Sequence, residues 1–255
     1  MTKVKRRRAA GDIVREHKVF PALRLSLRSL RAGTGPDTRK RMNEFLLLKF
    51  AHILALVYWL GGDLGTFLSS RQVTNRELSP QSRQVALKIM LACDMGPKLA
   101  MPLIFAIGLH MAWLADMLDP GGAGVALAWA VSLYWFTVVL VLSLSEGKPF
   151  AIALSKLDFY FRIVVALAIL AYATAVLVSG PGGAADWAAW KLIIFAALVG
   201  CGIAIRIHLK PFLPAVIELM SKCPSETVSG IMERSIANGR PFVWCIWAGL
   251  FHNTG

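Results

Sequence analysis

Four polar residues share one face of the first long apolar segment of the chain. They are Lys49, His52, Trp59 and Asp63, which fall on the same side of a helix that turns about 100° per residue. The opposite side carries Leu, Ile, Val and Phe. Charged groups are costly in hydrocarbon, so the stripe is expected to face a protein interior or a wet cavity. A neutral imidazole in such a stripe is a natural ligand for a metal or for haem iron.

The composition predicts the elements that must position this stripe. Mean hydropathy is +0.57 and 56% of residues are hydrophobic, which is typical of an all-α, polytopic helical membrane bundle. We expect five transmembrane helices and a short sixth one, because the last apolar run is too short to span. The Gly96-Pro97 pair is expected to interrupt the second apolar stretch. The predicted helices lie at about 43–69, 99–117, 124–145, 160–179 and 187–207, with the short run at 241–251.

The first 41 residues differ in kind from the rest. They hold 13 Lys and Arg against three acidic residues, which accounts for +10 of the net charge of +13. We predict a basic tail over 1–41 that is disordered or lies on anionic lipid, followed by one transmembrane domain over 42–255. An alternative is that the natural start is Met42. No aromatic interleaving supports nucleic-acid binding. The four cysteines form no CxxC pair and are interpreted as apolar fillers.

Charge in the connections predicts the orientation. The connections after the first, third and fifth helices carry Lys and Arg, whereas those at 118–123 and 180–186 carry neither. The positive-inside rule therefore places the Lys/Arg-bearing connections in the cytoplasm of a multi-pass protein, which we assign to a bacterial inner membrane. The basic tail runs against this assignment unless Met42 is the start.

Depth in the membrane connects residues of different helices. His52 and His110 each lie about two turns from the same membrane face, on neighbouring antiparallel helices, and Lys191 lies one turn from that face. Two imidazoles at one depth could ligate haem b from both sides, with Lys49 and Lys191 beside its propionates. His110 alone is also typical of an interfacial histidine, and the two lysines alone of side chains that extend to lipid headgroups.

A second polar group is predicted near the opposite face. It consists of Asp63, Asp94, Lys98, Asp158 and Arg162. We expect Asp63 to form a buried ion pair with Arg162 or Lys98. Such a pair would fix helix packing or mark a proton or substrate route, and it makes Asp63 and Arg162 the candidate catalytic residues.

Three short motifs carry a resemblance to a known family. Lys49-x-x-His52 followed by Trp59 resembles the first helix of the HemJ family of membrane protoporphyrinogen oxidases. Trp187-Ala-Ala-Trp-Lys191 is similar to that family's Trp-x-x-x-Lys helix, and Asn238-Gly-Arg-Pro241 to its Asn-Glu-x-Pro segment. The resemblance implies a haem-b bundle that oxidises protoporphyrinogen IX, with the histidine as ligand and the lysines near it. The first motif is also similar to CopD-type copper-resistance membrane proteins.

Three functions remain open at this point. The first is a membrane haem-b redox protein that oxidises porphyrinogen or passes electrons to a quinone. The second is a CopD-type permease for copper or a small solute, although the nine methionines show no Met-x-x-Met pairing. The third is a non-catalytic assembly subunit whose polar stripe contacts a partner helix. Expected partners are membrane lipid, porphyrinogen or quinone, and a second copy or a partner membrane subunit.

Overall fold

The computed structural model describes residues 36–145, 148–180, 182–221 and 226–254, and this part of the chain is almost entirely helical. It holds seven α-helices and no strand. They are α1 Pro36–Thr74, α2 Pro80–Leu114, α3 Gly121–Leu144, α4 Pro149–Ser179, α5 Ala184–His208, α6 Phe212–Ser221 and α7 Glu226–Thr254. The all-α prediction is therefore confirmed.

The first five helices, α1 to α5, are long and apolar enough to cross a membrane. The most apolar 18-residue stretch of each has a mean hydropathy between 1.4 and 2.4. The last helix, α7, is 29 residues long but is not among them, because its apolar run follows a polar half. The chain is therefore a multi-pass membrane protein by its helices, with five candidate spans and with α7 as a further helix that is only partly apolar.

Local sequence explains where several helices begin and end. The Ser79 hydroxyl accepts a hydrogen bond from the Ser82 N–H at 3.2 Å, and Pro80 follows in the first turn of α2. Pro149 likewise opens α4. That helix ends at Gly180, whose φ of 65° is a left-handed conformation that glycine adopts without strain. Helix α4 thus begins at Pro149, about eleven residues before the predicted start of the fourth span at 160.

The predicted interruption at Gly96-Pro97 is wrong as a helix boundary, because α2 runs through both residues. Pro97 has no N–H for the carbonyl of Cys93, four residues earlier. This stretch lies against α1, where a Cβ atom built on Gly62 would be 2.5 Å from Pro97 Cδ and 2.7 Å from the Cys93 oxygen. Pro97 thus lies within a helix at a close contact with α1, and proline is tolerated inside transmembrane helices.

The main core is a layer of large apolar side chains contributed by six helices. Its fully buried members include Trp59 of α1, Trp135 of α3 and Val199 of α5, and Ile246 and Leu250 of α7 pack against the same cluster. A second cluster joins the end of α1 and the start of α2 to α6 and α7. The polar stretch over 226–240 is therefore helical, and its apolar residues are packed.

The predicted tail falls mostly outside the described residues. Residues 1–35 are not described, and α1 begins at Pro36, six residues before Met42, with Asp37 in its first turn. A carboxylate there interacts favourably with the positive end of the helix dipole. Residues 36–41 are thus helical. A basic tail that is disordered or lies on anionic lipid stays a prediction.

Candidate functional site

His52 of α1 lies directly against α2. A Cβ atom built on Gly108 would be 3.2 Å from the Cε1 atom of His52 and 3.7 Å from its Nδ1 atom, so a larger residue there would require the ring to shift by a few tenths of an ångström. The Nδ1 atom is buried and has no hydrogen-bond partner in the described structure. A buried polar atom without a partner costs free energy, and such atoms are often explained by a ligand or ordered water.

Lys191 of α5 is a charged group that the structure brings near this histidine. Its ammonium lies 3.8 Å from the centre of the Trp187 ring, one helical turn earlier, and it is near enough to His52 to interact electrostatically. The spacing of the Trp-x-x-x-Lys motif is what makes the cation–π contact. Lys49 is exposed on α1. The site thus has one half-buried imidazole with a buried Nδ1 atom, one nearby cation and a second cation on the surface.

His110 of α2 points elsewhere. Its Nδ1 atom accepts a hydrogen bond from the Trp129 Nε1–H at 3.4 Å, and its ring lies 5.9 Å from that of Trp113. Gly108, which contacts His52, is two residues earlier, and two residues correspond to about 200° around a helix. The structure therefore places the two imidazoles on different sides of α2. Their joint ligation of one haem stays a prediction.

Trp59 and Asp63 form a pair within α1. The Trp59 Nε1–H donates to the Asp63 carboxylate at 3.1 Å, and the indole is almost fully buried against Phe195. Asp94 of α2 is near enough to interact with Asp63 and itself pairs with Lys98. Trp59 is accordingly a core residue that orients a carboxylate, about two turns from His52 along α1.

The second polar group centres on Asp158 of α4. Its side chain is 1% exposed and accepts hydrogen bonds from Arg162 at 3.0 Å and from Arg206 of α5 at 2.7 Å. Arg206 also donates to the Ser155 carbonyl at 2.7 Å, and Arg162 lies over the Trp135 ring. The predicted pairing of Asp63 with Arg162 or Lys98 is wrong, because both cations are paired with other carboxylates.

Arg206 is the member of this network that sequence reasoning missed. Because Arg206 lies in the last turn of α5, the sequence alone assigns it to the basic connection that follows this helix. The Asp158–Arg162 spacing of four residues was a usable signal for their contact. No local signal joins Arg206 to a carboxylate 48 residues earlier, since that contact depends on how α4 and α5 pack.

A polar cap closes the end where α1 meets α2. Arg83 is buried, and its Nε–H donates to the Val73 carbonyl at 2.8 Å, so it satisfies one of the last carbonyls of α1. Arg76, in the connection, binds Glu233 of α7 at 2.5 and 3.0 Å. These hydrogen bonds lower the pKa of the Glu233 carboxyl and raise the pKa of the Arg76 guanidinium. The cap ties the polar half of α7 to the first two spans.

An open groove lies at the other end, beside Trp113. Its volume is about 610 Å³, and its lining includes Asp116, Asp119 and Tyr172. Two carboxylates make this groove unsuited to the propionates of a porphyrin, which are themselves negative.

The described residues contain no cluster of metal-ligating side chains of the size that most metal sites use. No three His, Cys, Asp or Glu side chains come together there as a metal-binding group. Haem needs only one or two protein ligands, so a single buried histidine meets its minimum requirement. No protein-family model, curated protein or solved structure matches this chain.

Proposed function

We propose that this chain is an integral membrane haem-b protein of a bacterial inner membrane, with His52 as the axial ligand. The observation that carries the proposal is the buried Nδ1 atom of His52, which has no hydrogen-bond partner beside Gly108. An imidazole held in a membrane span by close helix packing is a suitable iron ligand, whichever of its nitrogens faces the metal.

The neighbouring groups fit the periphery of such a cofactor. Lys191 lies near His52, and its positive charge would pair with a propionate. Lys49 is one turn from His52 on the same helix and is exposed, so it would reach a second propionate at the membrane edge. Bound haem supplies one-electron redox chemistry, which suits oxidation of porphyrinogen or electron transfer to a quinone. Protoporphyrinogen IX is the substrate that the motif resemblance favours.

The surroundings of His110 favour a single protein ligand. The Trp129 indole already occupies the Nδ1 atom of His110, and this ring lies on another side of α2 from His52. We therefore propose that His52 alone would hold the haem, rather than the pair of imidazoles that the sequence suggested.

An absorption spectrum of the purified protein tests this proposal. We expect a Soret band that shifts on dithionite reduction in the wild type, and its loss in His52→Ala. His252→Ala is the matched control, because His252 is exposed on α7 and should leave the band unchanged. A His52→Ala protein that keeps the wild-type Soret band and haem stoichiometry would contradict the proposal.

Transport of copper or another small cation is a second candidate, favoured by a different observation. Charged side chains from four spans are buried or partly buried: Asp63 of α1, Asp94 of α2, Asp158 of α4 and Arg206 of α5. Ionisable residues within membrane spans often mark ion pathways. Copper uptake into liposomes that contain the protein tests this candidate, which predicts a flux that Asp63→Asn abolishes and His52→Ala retains.

A further inference from the structure

Two arginines share one buried aromatic ring near the Lys/Arg-bearing connections. The Cζ atom of Arg71, in the last turn of α1, lies 5.0 Å from the centre of the Phe67 ring. The Cζ atom of Arg240, from α7, lies 5.8 Å from the same centre. Cation–π contacts of this kind hold both guanidinium groups in place. Two positive charges are therefore held on one aromatic ring.

Among the described residues neither arginine has an acidic partner, in contrast to Arg76, Arg162 and Arg206. Arg76 is paired with Glu233 and Glu226, and both Arg162 and Arg206 are paired with Asp158. Within the described residues, Arg71 and Arg240 make no ion pair, and the Nε atom of Arg240 is buried without a hydrogen-bond partner. Two fixed guanidinium groups without a carboxylate have the charge and the donors that a bound phosphate requires.

The surroundings of the pair are those of a membrane interface. Trp244 and Trp247 of α7 pack on Phe67 with ring centres 5.6 and 5.3 Å away. Trp244 is 55% exposed. Tryptophan is enriched where headgroups meet hydrocarbon, because its ring is both apolar and polar. The buried Nε1–H of Trp247 has no partner, which adds a second unsatisfied donor beside the ring.

An exposed apolar stripe leads away from Arg71 along α1. Leu68, Leu64 and Val57 are all exposed, and they lie three, seven and fourteen residues before Arg71. These spacings keep them on the same face of the helix as Arg71, over about 20 Å along its axis. A molecule with an anionic head at Arg71 would thus find an apolar surface for its chain directly below.

We propose that Arg71 and Arg240 bind the phosphate of an anionic phospholipid whose acyl chain lies along Leu68, Leu64 and Val57. The guanidinium groups donate to the phosphate oxygens, and Trp244 covers the glycerol region. The connection charges place this site in the cytoplasmic leaflet, which is where anionic lipids attract basic side chains. The site is separate from His52 and does not depend on the presence of haem.

Native mass spectrometry of the full chain in neutral detergent tests the proposal. The probes are phosphatidylglycerol, phosphatidylcholine with the same acyl chains, and inorganic phosphate. We expect one tightly bound phosphatidylglycerol and at least about tenfold weaker binding in Arg71→Gln and in Arg240→Gln, since each removes charge-assisted hydrogen bonds. The matched control is Arg234→Gln on α7, which is exposed and removes the same charge. Its affinity should stay within about twofold of the wild type.

Three outcomes would overturn the proposal. Equal binding by the wild type, Arg71→Gln and Arg240→Gln would show that lipid binds elsewhere. An equal loss in Arg234→Gln would show that only overall charge matters. Equal affinity for phosphatidylcholine, or displacement of the lipid by inorganic phosphate at similar concentration, would show that the site does not select an anionic lipid. If either glutamine variant fails to fold, the corresponding lysine variant, Arg71→Lys or Arg240→Lys, replaces it. We expect phosphatidylglycerol to bind the lysine variant more weakly than the wild type, because lysine keeps the charge but not the planar pair of donors. Unchanged binding in both lysine variants would contradict a role for the guanidinium groups.

Discussion

The Asp158 network and the His52 region are both polar sites inside membrane spans, but they differ in how completely their groups are satisfied. Asp158 has two arginine partners, and one of these also bonds to Ser155. His52 has a buried nitrogen without a partner and rests on a glycine. A satisfied network stabilises one packing of the helices, whereas an unsatisfied buried donor or acceptor marks a place where a ligand would lower the free energy.

This contrast gives the two regions different expected responses to mutation. Changes at Asp158 should reduce the stability of the bundle whether or not a cofactor is bound. Changes at His52 should affect cofactor binding and leave stability nearly unchanged. The predictions below follow from that difference, beginning with the largest effect.

Removing the Asp158 charge should have the largest effect on stability. Asp158→Asn leaves Arg162 and Arg206 as half-buried cations without a carboxylate, and breaking one partner of a buried pair costs about 3–5 kcal/mol. We expect a large fall in the thermal unfolding temperature of the detergent-solubilised protein. Asp119→Asn is the control, since Asp119 is an exposed carboxylate whose loss should change stability little. Equal stability of Asp158→Asn and wild type would show that the network is not structural.

The contact between α1 and α2 offers a second test through two adjacent glycines. A Cβ atom on Gly62 would lie 2.5 Å from Pro97 Cδ and 2.7 Å from the Cys93 carbonyl oxygen, whereas one on Gly61 would meet nothing within 4 Å. Gly62→Ala should therefore destabilise the protein by about 1–3 kcal/mol through overpacking. Gly61→Ala should be neutral or stabilising by up to about 1 kcal/mol, because alanine favours a helix. Unfolding midpoints that agree for the two variants would contradict this close packing.

The same contact shows where sequence reasoning succeeds and where it fails. Five spans follow from the length and hydropathy of the apolar runs, and the structure confirms them. The Gly96-Pro97 pair was predicted to interrupt α2, because a proline removes a helix hydrogen bond. The helix nevertheless continues, with Gly62 and Gly65 of α1 in close contact with this stretch. That contact comes from another segment, so no local pattern in α2 predicts it.

The candidate sites were predictable to different degrees for a similar reason. His52 and Lys191 were chosen from depth and spacing, and the structure brings these two near each other. Depth alone cannot give the rotation of a helix about its axis. The sequence therefore did not predict that His110 contacts Trp129 rather than His52. Arg206 was missed because its partner lies on another helix.

A substitution at Gly108 tests the His52 region, because Gly108 contacts the imidazole. A Cβ atom there would be 3.2 Å from His52 Cε1, so Gly108→Ala should shift the imidazole by a few tenths of an ångström. If His52 ligates haem, we expect a displaced Soret band and several-fold weaker haem retention, with a loss of stability smaller than that of Gly62→Ala. Gly200→Ala is the control, because a Cβ atom there meets nothing within 4 Å. An unchanged spectrum in Gly108→Ala would separate the haem from His52.

The smallest effect is expected at the polar cap, where the Arg76–Glu233 pair is largely exposed to solvent. Its hydrogen bonds lower the pKa of the Glu233 carboxyl in the folded protein below its ordinary value. A lowered folded pKa means that the pair contributes stability above the unfolded pKa, and that this contribution is lost as the pH falls through the folded pKa. Glu233→Gln should therefore lower the unfolding temperature slightly at pH 7, and the difference from wild type should disappear in acid.

The control is Glu77→Gln, which removes an exposed carboxylate of the same connection as Arg76 and should show no such pH-dependent difference. Because exposed pairs are screened by salt, the effect at Glu233 should also shrink at high ionic strength, and a difference that persists in acid or in salt would assign it to packing of α7 rather than to charge.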